Sequence, residues 1–397
     1  MAYKLSDLCY YVKGKTPVAS LTPLTYISTE NMLPDKAGVT TASSLPTVDY
    51  TQVYQRGDVL VSNIRPYFKK IWQAAYDGGC SNDVLVFRAN ENCDPTFLYY
   101  VLADDAFFNY SMATSKGTKM PRGDKTAILE YSVPQFDIET QRKIGTILSA
   151  LDKKISVNSK INDNLQQQLQ ALFREWFIDN PEAELWERGT FADLIERTIS
   201  GDWGKDTATG NNTEMVYCMR GADIPEVKAG NKGKMPTRFI LPKNYASKQL
   251  VAGDIVVEIS GGSPTQSTGR AAVISDALLA RYDKGMVCTN FCKALKPKTG
   301  YSMFVYHYWQ YLYDANVFFG YENGTTGIKN LDISGIIDRE KIVIPDSAMI
   351  AKFDEVCQSM YRSIYSNGLE NEQLSTLRDT ILPRLMVGEI DVSDIQI

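Results

Sequence analysis

Residues 144–176 read IGTILSALDKKISVNSKINDNLQQQLQALFREW, and their apolar positions recur at alternating steps of four and three residues. This spacing is a heptad seam, typical of a helix that packs along its length against another helix. Two asparagines, Asn158 and Asn162, interrupt the seam. The segment 353–385, which lies 209 residues later, repeats the seam without an insertion and has asparagines at the same two places. The sequence therefore predicts two matching long helices.

Each helix of about 40 residues is roughly 60 Å long and cannot bury such a stripe alone. The two helices are predicted to pair as a coiled coil, in which buried asparagines fix the register at some cost in stability. The alternative is two separate amphipathic helices, each lying on its own globular part. Arg378 stands where the first helix has Leu169, so local fraying is expected there. The residues predicted to form the helix pairing are Leu148, Leu151, Ile155, Asn158, Asn162, Leu165, Met360, Ile364, Asn367, Asn371 and Leu374.

The parts of the chain outside these helices also match each other. Five short motifs occur in the same order in both halves, at spacings that drift from 186 to 211 residues, so the second copy carries insertions. Strand-like runs broken by turns dominate both copies. The matching pairs are LSDL (5–8) with FADL (191–194), RGDVLV (56–61) with AGDIVV (252–257), CSN (80–82) with CTN (288–290), GT (117–118) with GT (324–325), and VP (133–134) with IP (344–345).

This organisation predicts an α+β fold with two repeated globular domains joined by the two long helices. The predicted boundaries are 1–136 for the first globular domain, 137–185 for the first helical region, 186–345 for the second globular domain and 346–397 for the second helical region.

The chain of 397 residues has an ordinary composition, with 44% hydrophobic and 22% charged residues and a net charge of −5. This charge excludes a uniformly basic coat for nucleic acid but allows local basic patches. The seven cysteines are odd in number and form no CxxC motif, and the chain has neither an apolar signal core nor a run of 18 apolar residues. We therefore expect reduced thiols, a cytoplasmic location and no membrane association.

Motifs for enzyme chemistry are missing from the sequence. With His307 as the single histidine, metal sites that need two histidines are excluded, and a Ser-His-Asp or Cys-His centre would have to use that residue. His307 stands in the aromatic run YHYW, which favours a packing role. The phosphate-binding pattern GxxxxGK[ST], a GxGxxG motif after a strand and the Asn/Asp-Pro-Pro-Tyr/Phe signature of amino-methyltransferases do not occur. No catalytic residue, metal site or cofactor site is therefore predicted.

Basic clusters occur in both globular halves of this acidic chain. Residues 228–248 hold six basic and no acidic residues, residues 116–125 form a second cluster, and RPYFKK (65–70) interleaves basic with aromatic residues. Lysine and arginine in such segments suit phosphate contacts, and the Ser, Thr, Gln and Arg side chains of residues 261–270 suit base edges. The alternatives are a solvated loop for each cluster and a flexible hairpin for 261–270. The candidate DNA-binding residues are Arg65, Tyr67, Lys69, Lys70, Lys116, Lys119, Arg122, Lys232, Lys234, Arg238, Ser263, Thr265, Gln266, Ser267, Arg270, Thr325 and Lys329.

Together these features resemble the DNA-specificity subunit of Type I restriction–modification enzymes, over essentially the whole chain. The resemblance rests on the Gly-Asp-hydrophobic motifs in both halves, on GTKMPR (117–122) before the first helix and on ALFREWF (171–177) at its end. LRDTILPRLMVGEI (377–390) is similar to the C-terminal signature of that family, and EISGGSP (258–264) resembles its second recognition domains.

The resemblance implies two target-recognition domains that each read one part of a split sequence in double-stranded DNA. It also implies that the helices form an antiparallel coiled coil, space the two domains and dock two methyltransferase (modification) subunits. Restriction subunits that translocate DNA would join this core. S-adenosylmethionine, ATP and magnesium are expected on the partner subunits and none of them on this chain. The competing interpretations are a self-contained DNA-modifying enzyme and a coiled-coil scaffold that does not bind DNA.

Overall fold

The computed structural model describes residues 2–263, 265–324 and 328–395. The chain divides into two compact units. Unit 1 comprises residues 1–154 and 374–397, and unit 2 comprises residues 155–373. Both units combine β-sheets with helices, so the predicted mixture of helix and sheet is confirmed.

Unit 1 is built on two four-stranded sheets and a small two-stranded one. Its strands are β1 (Ala2–Lys4), β2 (Cys9–Tyr11), β3 (Lys15–Pro17), β4 (Tyr26–Ile27), β5 (Tyr50–Tyr54), β6 (Val59–Ser62), β7 (Ile71–Gln73), β8 (Gly78–Cys80), β9 (Val84–Ala89) and β10 (Ser132–Pro134). Its short helices are α1 (Leu5–Leu8), α2 (Pro95–Ala103), α3 (Asp105–Ala113) and α4 (Lys125–Leu129). The sheets have the orders β2-β9-β6-β7, β3-β5-β8-β4 and β1-β10.

Unit 2 repeats the central sheet with the same connections, in the order β12-β19-β15-β17. Its strands are β11 (Glu187–Gly189), β12 (Ile195–Ser200), β13 (Glu214–Met219), β14 (Thr237–Ile240), β15 (Ile255–Glu258), β16 (Ser260–Gly261), β17 (Ala271–Val273), β18 (Met286–Cys288), β19 (Cys292–Pro297), β20 (Glu322–Asn323), β21 (Lys329–Leu331) and β22 (Ile342–Ile344). Its short helices are α6 (Ile224–Lys228), α7 (Pro242–Lys248), α8 (Asp276–Leu279), α9 (Ser302–Asp314) and α10 (Ile333–Arg339). The pair β11-β22 takes the place of β1-β10.

The central strands β6 and β15 are apolar on both faces because each face covers a different core. In unit 1, Val59 and Val61 pack with the aromatic residues of α2 and α3, whereas Leu60 packs in the core shared with the second sheet. In unit 2, Ile255 and Val257 face the core that contains α9, whereas Val256 faces the opposite core. The strand-like runs of the sequence thus form the centre of each unit.

The repeated Gly-Asp motif forms the turn before each central strand. The Oδ2 atom of Asp58 accepts a hydrogen bond from the backbone N of Gln55 at 2.8 Å, and its carboxylate pairs with Arg88 on β9. Asp254 repeats this arrangement with the backbone N of Val251 at 2.9 Å and with a lysine on β19. These buried carboxylates close the turn and tie it to the neighbouring strand, which explains why the motif occurs in both halves.

The two long helices are α5 (Ile138–Phe173) and α11 (Ser347–Met386), and each unit contains a part of both. Within unit 2 they run antiparallel, because Asn158 Nδ2 donates to Asn371 Oδ1 at 3.0 Å and Asn367 Nδ2 donates to Asn162 Oδ1 at 2.9 Å. Asn162 Nδ2 also donates to two backbone oxygens, those of Ile364 at 3.0 Å and of Ala229 at 3.1 Å. The four asparagines predicted at the seam therefore form one polar layer.

The burial of the seam differs from the prediction in two respects. Leu148 and Ile364 are fully buried, but six of the other predicted pairing residues are only half-buried. The expected fraying at Arg378 is wrong, since within unit 1 this side chain forms an ion pair with Asp152, which also accepts a hydrogen bond from Tyr100 at 2.6 Å. The half-buried pairing residues are Leu151, Ile155, Leu165, Met360, Asn367 and Leu374.

Candidate nucleic-acid interface

In unit 1, three segments that are far apart in the sequence meet at the end of strand β6. The backbone N of Asn63 donates to the oxygen of Asp83 at 2.8 Å, and the N of Arg65 donates to the oxygen of Pro121 at 2.8 Å. The N of Gly123 closes the group by donating to the oxygen of Asn63 at 3.2 Å. The two predicted binding segments, 65–70 and 116–125, are thus neighbours, and the loop 81–83 lies beside them.

The turn after β6 has a strained backbone at both of its ends. Arg65 has φ 51° and Lys69 has φ 49°, left-handed conformations that cost energy for residues other than glycine and that concentrate at functional sites. Between them, Pro66–Phe68 forms one helical turn that exposes Tyr67 by 48% and Phe68 by 39%, with the two rings 4.6 Å apart. The turn therefore presents aromatic surface beside basic side chains.

Two of the three cations of this site are held by weak ion pairs at the surface. Lys116 contacts Asp124 at 2.6 Å, and this hydrogen bond raises the pKa of the lysine. Arg122 contacts Asp83 at 3.0 Å, and Lys119 is exposed. Surface ion pairs contribute at most about 1 kcal/mol, so a phosphate can replace the carboxylate at low cost. These three cations can therefore bind the phosphates of a polyanion.

The other two predicted lysines of this segment are engaged within unit 1. Lys69 Nζ lies 2.7 Å from Asp105, whose second oxygen accepts from Lys36 at 2.8 Å. Lys70 Nζ donates to the backbone oxygen of Thr29 at 2.6 Å, and burial lowers the pKa of Lys70. Lys70 therefore fixes the turn rather than facing solvent. Within the part of the chain that the structure describes, the buried Nε of Arg65 has no hydrogen-bond partner.

Unit 2 places equivalent segments together at the end of β15. Strand β16 follows β15 and pairs with β21, and Ser260 stands opposite Asn330. In unit 1 the corresponding bridge joins Ile64 to Arg122. The backbone N of Ile259 donates to the oxygen of Phe291 at 2.9 Å, which brings in the loop after β18. The three-segment site is therefore present twice in the chain.

The loop 261–270 is only partly available for reading bases. Thr265 and Gln266 are exposed at its tip, where Ser263 Oγ accepts from the backbone N of Gln266 at 3.0 Å. The predicted roles of Ser267 and Arg270 are not supported. Ser267 is buried, and Arg270 donates two hydrogen bonds, of 2.8 and 2.7 Å, to the buried carboxylate of Glu258.

Lys329, the next candidate after this loop, is also paired with a carboxylate of unit 2. Lys329 Nζ contacts Glu322 at 2.7 Å and lies 4.8 Å from the ring centroid of Phe319. Glu322 in turn accepts from the backbone N of Thr268 at 2.7 Å, so the lysine belongs to a network that shapes the loop. Thr325 lies outside the described residues.

In the basic segment 228–248, the candidates Arg238 and Lys232 contact other side chains of unit 2, and their binding to DNA stays a prediction. Arg238 is only 6% exposed, stacks on Trp203 at 4.1 Å from the ring centroid and pairs with Asp206. Lys232 lies 4.8 Å from the ring centroid of Tyr282 and 3.9 Å from a carboxylate on α11. The backbone N of Lys234 donates to Asp223 at 3.0 Å, so its main chain also belongs to this structure.

The single histidine and the seven cysteines of the chain are all buried. His307 is 3% exposed, 5.5 Å from the ring centroid of Phe353, and burial lowers the pKa of its imidazole to about 3. Burial likewise raises the pKa of all seven cysteine thiols. The packing role predicted for His307 agrees with these contacts, and buried thiols of this kind are inert.

The described ranges 2–263, 265–324 and 328–395 contain no group of three histidine, cysteine or acidic residues that could hold a metal ion. In the same ranges no helix combines the length and the apolar character needed to cross a membrane.

Residues that the sequence reasoning missed line two cavities beside these sites. In unit 2 a cavity of about 470 Å³ is bordered by Trp203 and Phe291, and in unit 1 a cavity of about 400 Å³ is bordered mainly by serine and threonine with Asp83. The sequence signal for these residues was the repeated Cys-Ser/Thr-Asn motif, because one copy of its loop borders each cavity.

Comparison with known proteins identifies relatives of the chain. Residues 1–167 match the family described as Type I restriction modification DNA specificity domain. The chain is 24% identical to the Type I restriction enzyme HindI specificity subunit of Haemophilus influenzae, over 98% of this chain and 99% of that protein. It is 26% identical to the MjaIX specificity subunit of Methanocaldococcus jannaschii, over 75% of this chain and 70% of that protein. The solved S subunit from M. genitalium has a similar fold, with a TM-score of 0.57 at 14% identity, over 97% of this chain and 96% of that one.

Proposed function

Because the chain belongs to the specificity subunits of Type I restriction–modification enzymes, we propose that it reads a DNA target in two parts, one part with each unit. The chain is the DNA-specificity component, and its partner subunits would catalyse the reactions. The observation that carries the two-part reading is the recurrence of the three-segment site at the end of β6 and again at the end of β15.

Each copy of the site has the chemical groups that DNA recognition needs. In unit 1, the exposed Lys119 and the weakly paired Lys116 and Arg122 supply positive charge for phosphates, which fix the position of the protein on the duplex. In unit 2, the exposed Thr265 and Gln266 have side chains that can hydrogen-bond to base edges. A glutamine can contact adenine with two hydrogen bonds, so Gln266 is the strongest candidate for a base contact.

The long helices give the second part of the proposal. An antiparallel coiled coil of α5 and α11 would hold the two recognition units apart and set the gap between the two parts of the target. The antiparallel asparagine contacts inside unit 2 support this arrangement. We propose that two modification subunits with S-adenosylmethionine dock on the helical regions and methylate adenine. Restriction subunits that use ATP and magnesium would join them, and the complex would act in the cytoplasm.

The proposal is tested by measuring how binding depends on salt. The chain, assembled with its modification subunits, is titrated with target and unrelated duplexes at several salt concentrations. Replacing Lys119 and Arg122 with alanine should weaken binding to both duplexes and reduce the slope of log K against log salt by about 2, since each phosphate contributes roughly 0.9. Arg56→Ala is the matched control, because Arg56 is exposed in the turn at the opposite end of β6.

The control should bind like the unchanged chain, because its charge lies away from the site. If the double variant and the control gave the same affinity and the same slope, the site at the end of β6 would not contact phosphate. If the unchanged complex failed to distinguish target from unrelated DNA, the proposed function itself would be wrong.

A further inference from the structure

The apolar cavity of unit 2 is unlike the rest of the proposed DNA-facing surface. It has a volume of about 470 Å³ and is lined by Trp203, Arg220, Gly221, Thr289, Asn290 and Phe291. Phe291 is 61% exposed and Trp203 is 39% exposed. Large apolar side chains with this degree of exposure are expected to have a partner when they border a cavity.

Contacts within unit 2 hold the ring of Trp203 and the backbone of Phe291, the two aromatic residues that line the cavity. The guanidinium of the buried Arg238 lies 4.1 Å from the ring centroid of Trp203, and its Nε donates to the backbone oxygen of Trp203 at 2.8 Å. The backbone N of Phe291 donates to Thr289 Oγ1 at 3.2 Å, and its oxygen accepts from the N of Ile259 at 2.9 Å. The ring of Trp203 and the backbone of Phe291 are therefore positioned before any ligand arrives, which lowers the entropic cost of binding.

A planar cation is fixed at the same cavity. Arg220 donates to both carboxylate oxygens of Asp223, at 2.9 and 3.0 Å, and to the backbone oxygen of Lys234 at 2.7 Å. Gly221, which also lines the cavity, packs closely against Glu258, because a Cβ atom at this position would lie 2.7 Å from the Glu258 carboxylate. Aromatic and guanidinium planes that border one space favour a flat, electron-rich occupant.

The position of the cavity identifies the class of this occupant. The loop that carries Thr289, Asn290 and Phe291 is also one of the three segments of the proposed DNA site. Bases inside a duplex show only their edges in the grooves, whereas a base that has left the stack exposes its ring faces. Ring faces are what Trp203 and Phe291 can contact, and the volume far exceeds that of a single methyl group.

From this geometry, and resting on the proposed function, we propose that the cavity holds one nucleobase of the target that has left the duplex stack and lies against Trp203 and Phe291. Among the described residues, the site of unit 1 differs from that of unit 2 at this position. The position of Phe291 in the Cys-Thr-Asn loop is taken in unit 1 by Asp83, which pairs with Arg122. The unstacked base is therefore in the half of the target that unit 2 reads.

The test removes bases one at a time. The assembled complex is titrated with duplexes in which each nucleotide of the second half-site, on both strands, is replaced by an abasic one. For the unchanged chain, loss of the pocketed base should weaken binding by about 5- to 150-fold, the range for stacking of one base on an aromatic side chain. Phe291→Ala should weaken binding to the intact target and should be nearly insensitive to loss of that same base.

Control variants show whether the effect comes from the ring. Phe291→Tyr keeps the ring and should restore the sensitivity to base loss. Val251→Ala removes another exposed apolar side chain, at the opposite end of β15, so it should behave like the unchanged chain. Phe291 is exposed, so its replacement should leave the fold and the assembly with the modification subunits intact.

Two further duplexes distinguish an unstacked base from a contact within the duplex. Removing the partner of the pocketed base should strengthen binding, because unpairing then costs nothing. Deoxyuridine in place of thymidine removes only the methyl group and should retain most of the affinity.

The inference is overturned if no position couples to Phe291, if removal of the partner base weakens binding, or if loss of the methyl group explains the whole effect. Loss of target discrimination by the unchanged complex would instead refute the proposed function.

Discussion

The single histidine of the chain should make unit 2 less stable in mild acid. His307 is buried between helices, with Nδ1 3.3 Å from Gln170 Oε1 and with Nε2 lacking a partner among the described residues. Burial, aided by the positive charge of Lys228, lowers the pKa of the imidazole to about 3. In the unfolded chain the pKa of histidine is about 6.5, so the unfolded state binds a proton that the folded state excludes.

This difference in proton binding fixes the sign and the size of the effect. The folded pKa is the lower one, so the free energy of unfolding decreases as the pH falls from about 6.5 towards 3. Between pH 7 and pH 5 the decrease from His307 alone should be about 2 kcal/mol, because proton uptake by the unfolded state is almost complete at pH 5. His307→Gln removes the ionisable group and should abolish this part of the pH dependence.

The assay is urea unfolding at pH 7 and pH 5, followed by tryptophan fluorescence. Four of the five tryptophans lie in unit 2, with Trp72 the exception, so the signal reports mainly on this unit. The chain should lose about 2 kcal/mol more than the His307→Gln variant between the two pH values. Equal losses for the two proteins would refute the burial of a neutral imidazole.

Further variants separate structural from DNA-contacting side chains. Arg270→Ala should destabilise unit 2 by about 3 kcal/mol in urea unfolding, because it leaves the Glu258 carboxylate buried without its partner, and Glu258→Gln should recover part of the loss. Gln266→Ala, at an exposed position, should change stability by less than about 0.5 kcal/mol but alter the base preference of the second half-site in binding assays; an unaltered preference would remove Gln266 from the interface. Asn162→Ala removes three hydrogen bonds of a buried side chain and should cost about 2–4 kcal/mol, seen as faster amide exchange in the adjoining part of α11; unchanged exchange would contradict the asparagine layer.

The helices and the strand repeat could be predicted because their signals are local and periodic. The central strands β6 and β15 lie in the repeated motifs RGDVLV and AGDIVV, from which they were predicted. Asparagines at matching seam positions do form the expected polar layer. The prediction of fraying at Arg378 was wrong because its acidic partner, Asp152, is 226 residues away in the sequence and only the fold of unit 1 brings the two together.

The binding residues were harder to predict because charge in the sequence does not reveal its partner. The segment 228–248 contains no acidic residue, yet Asp206 and Glu372 from outside it pair with Arg238 and Lys232. Arg270 was predicted to read bases, but its partner Glu258 lies on the neighbouring strand. Isolated aromatic residues such as Phe291 give no periodic signal, so only the structure places them beside the proposed interface.

The central claim, that each unit reads one part of a split target, is tested most directly by mapping methylated adenines. The chain is expressed with its modification subunits in cells that lack adenine methylation, and the methylated sequences are determined across the genome. A second strain carries a chimera in which residues 1–136 come from a related specificity subunit. The expected result is a two-part sequence with a fixed gap, of which the chimera changes one part and keeps the other part and the gap. A single uninterrupted sequence, or a chimera that changes both parts, would contradict it.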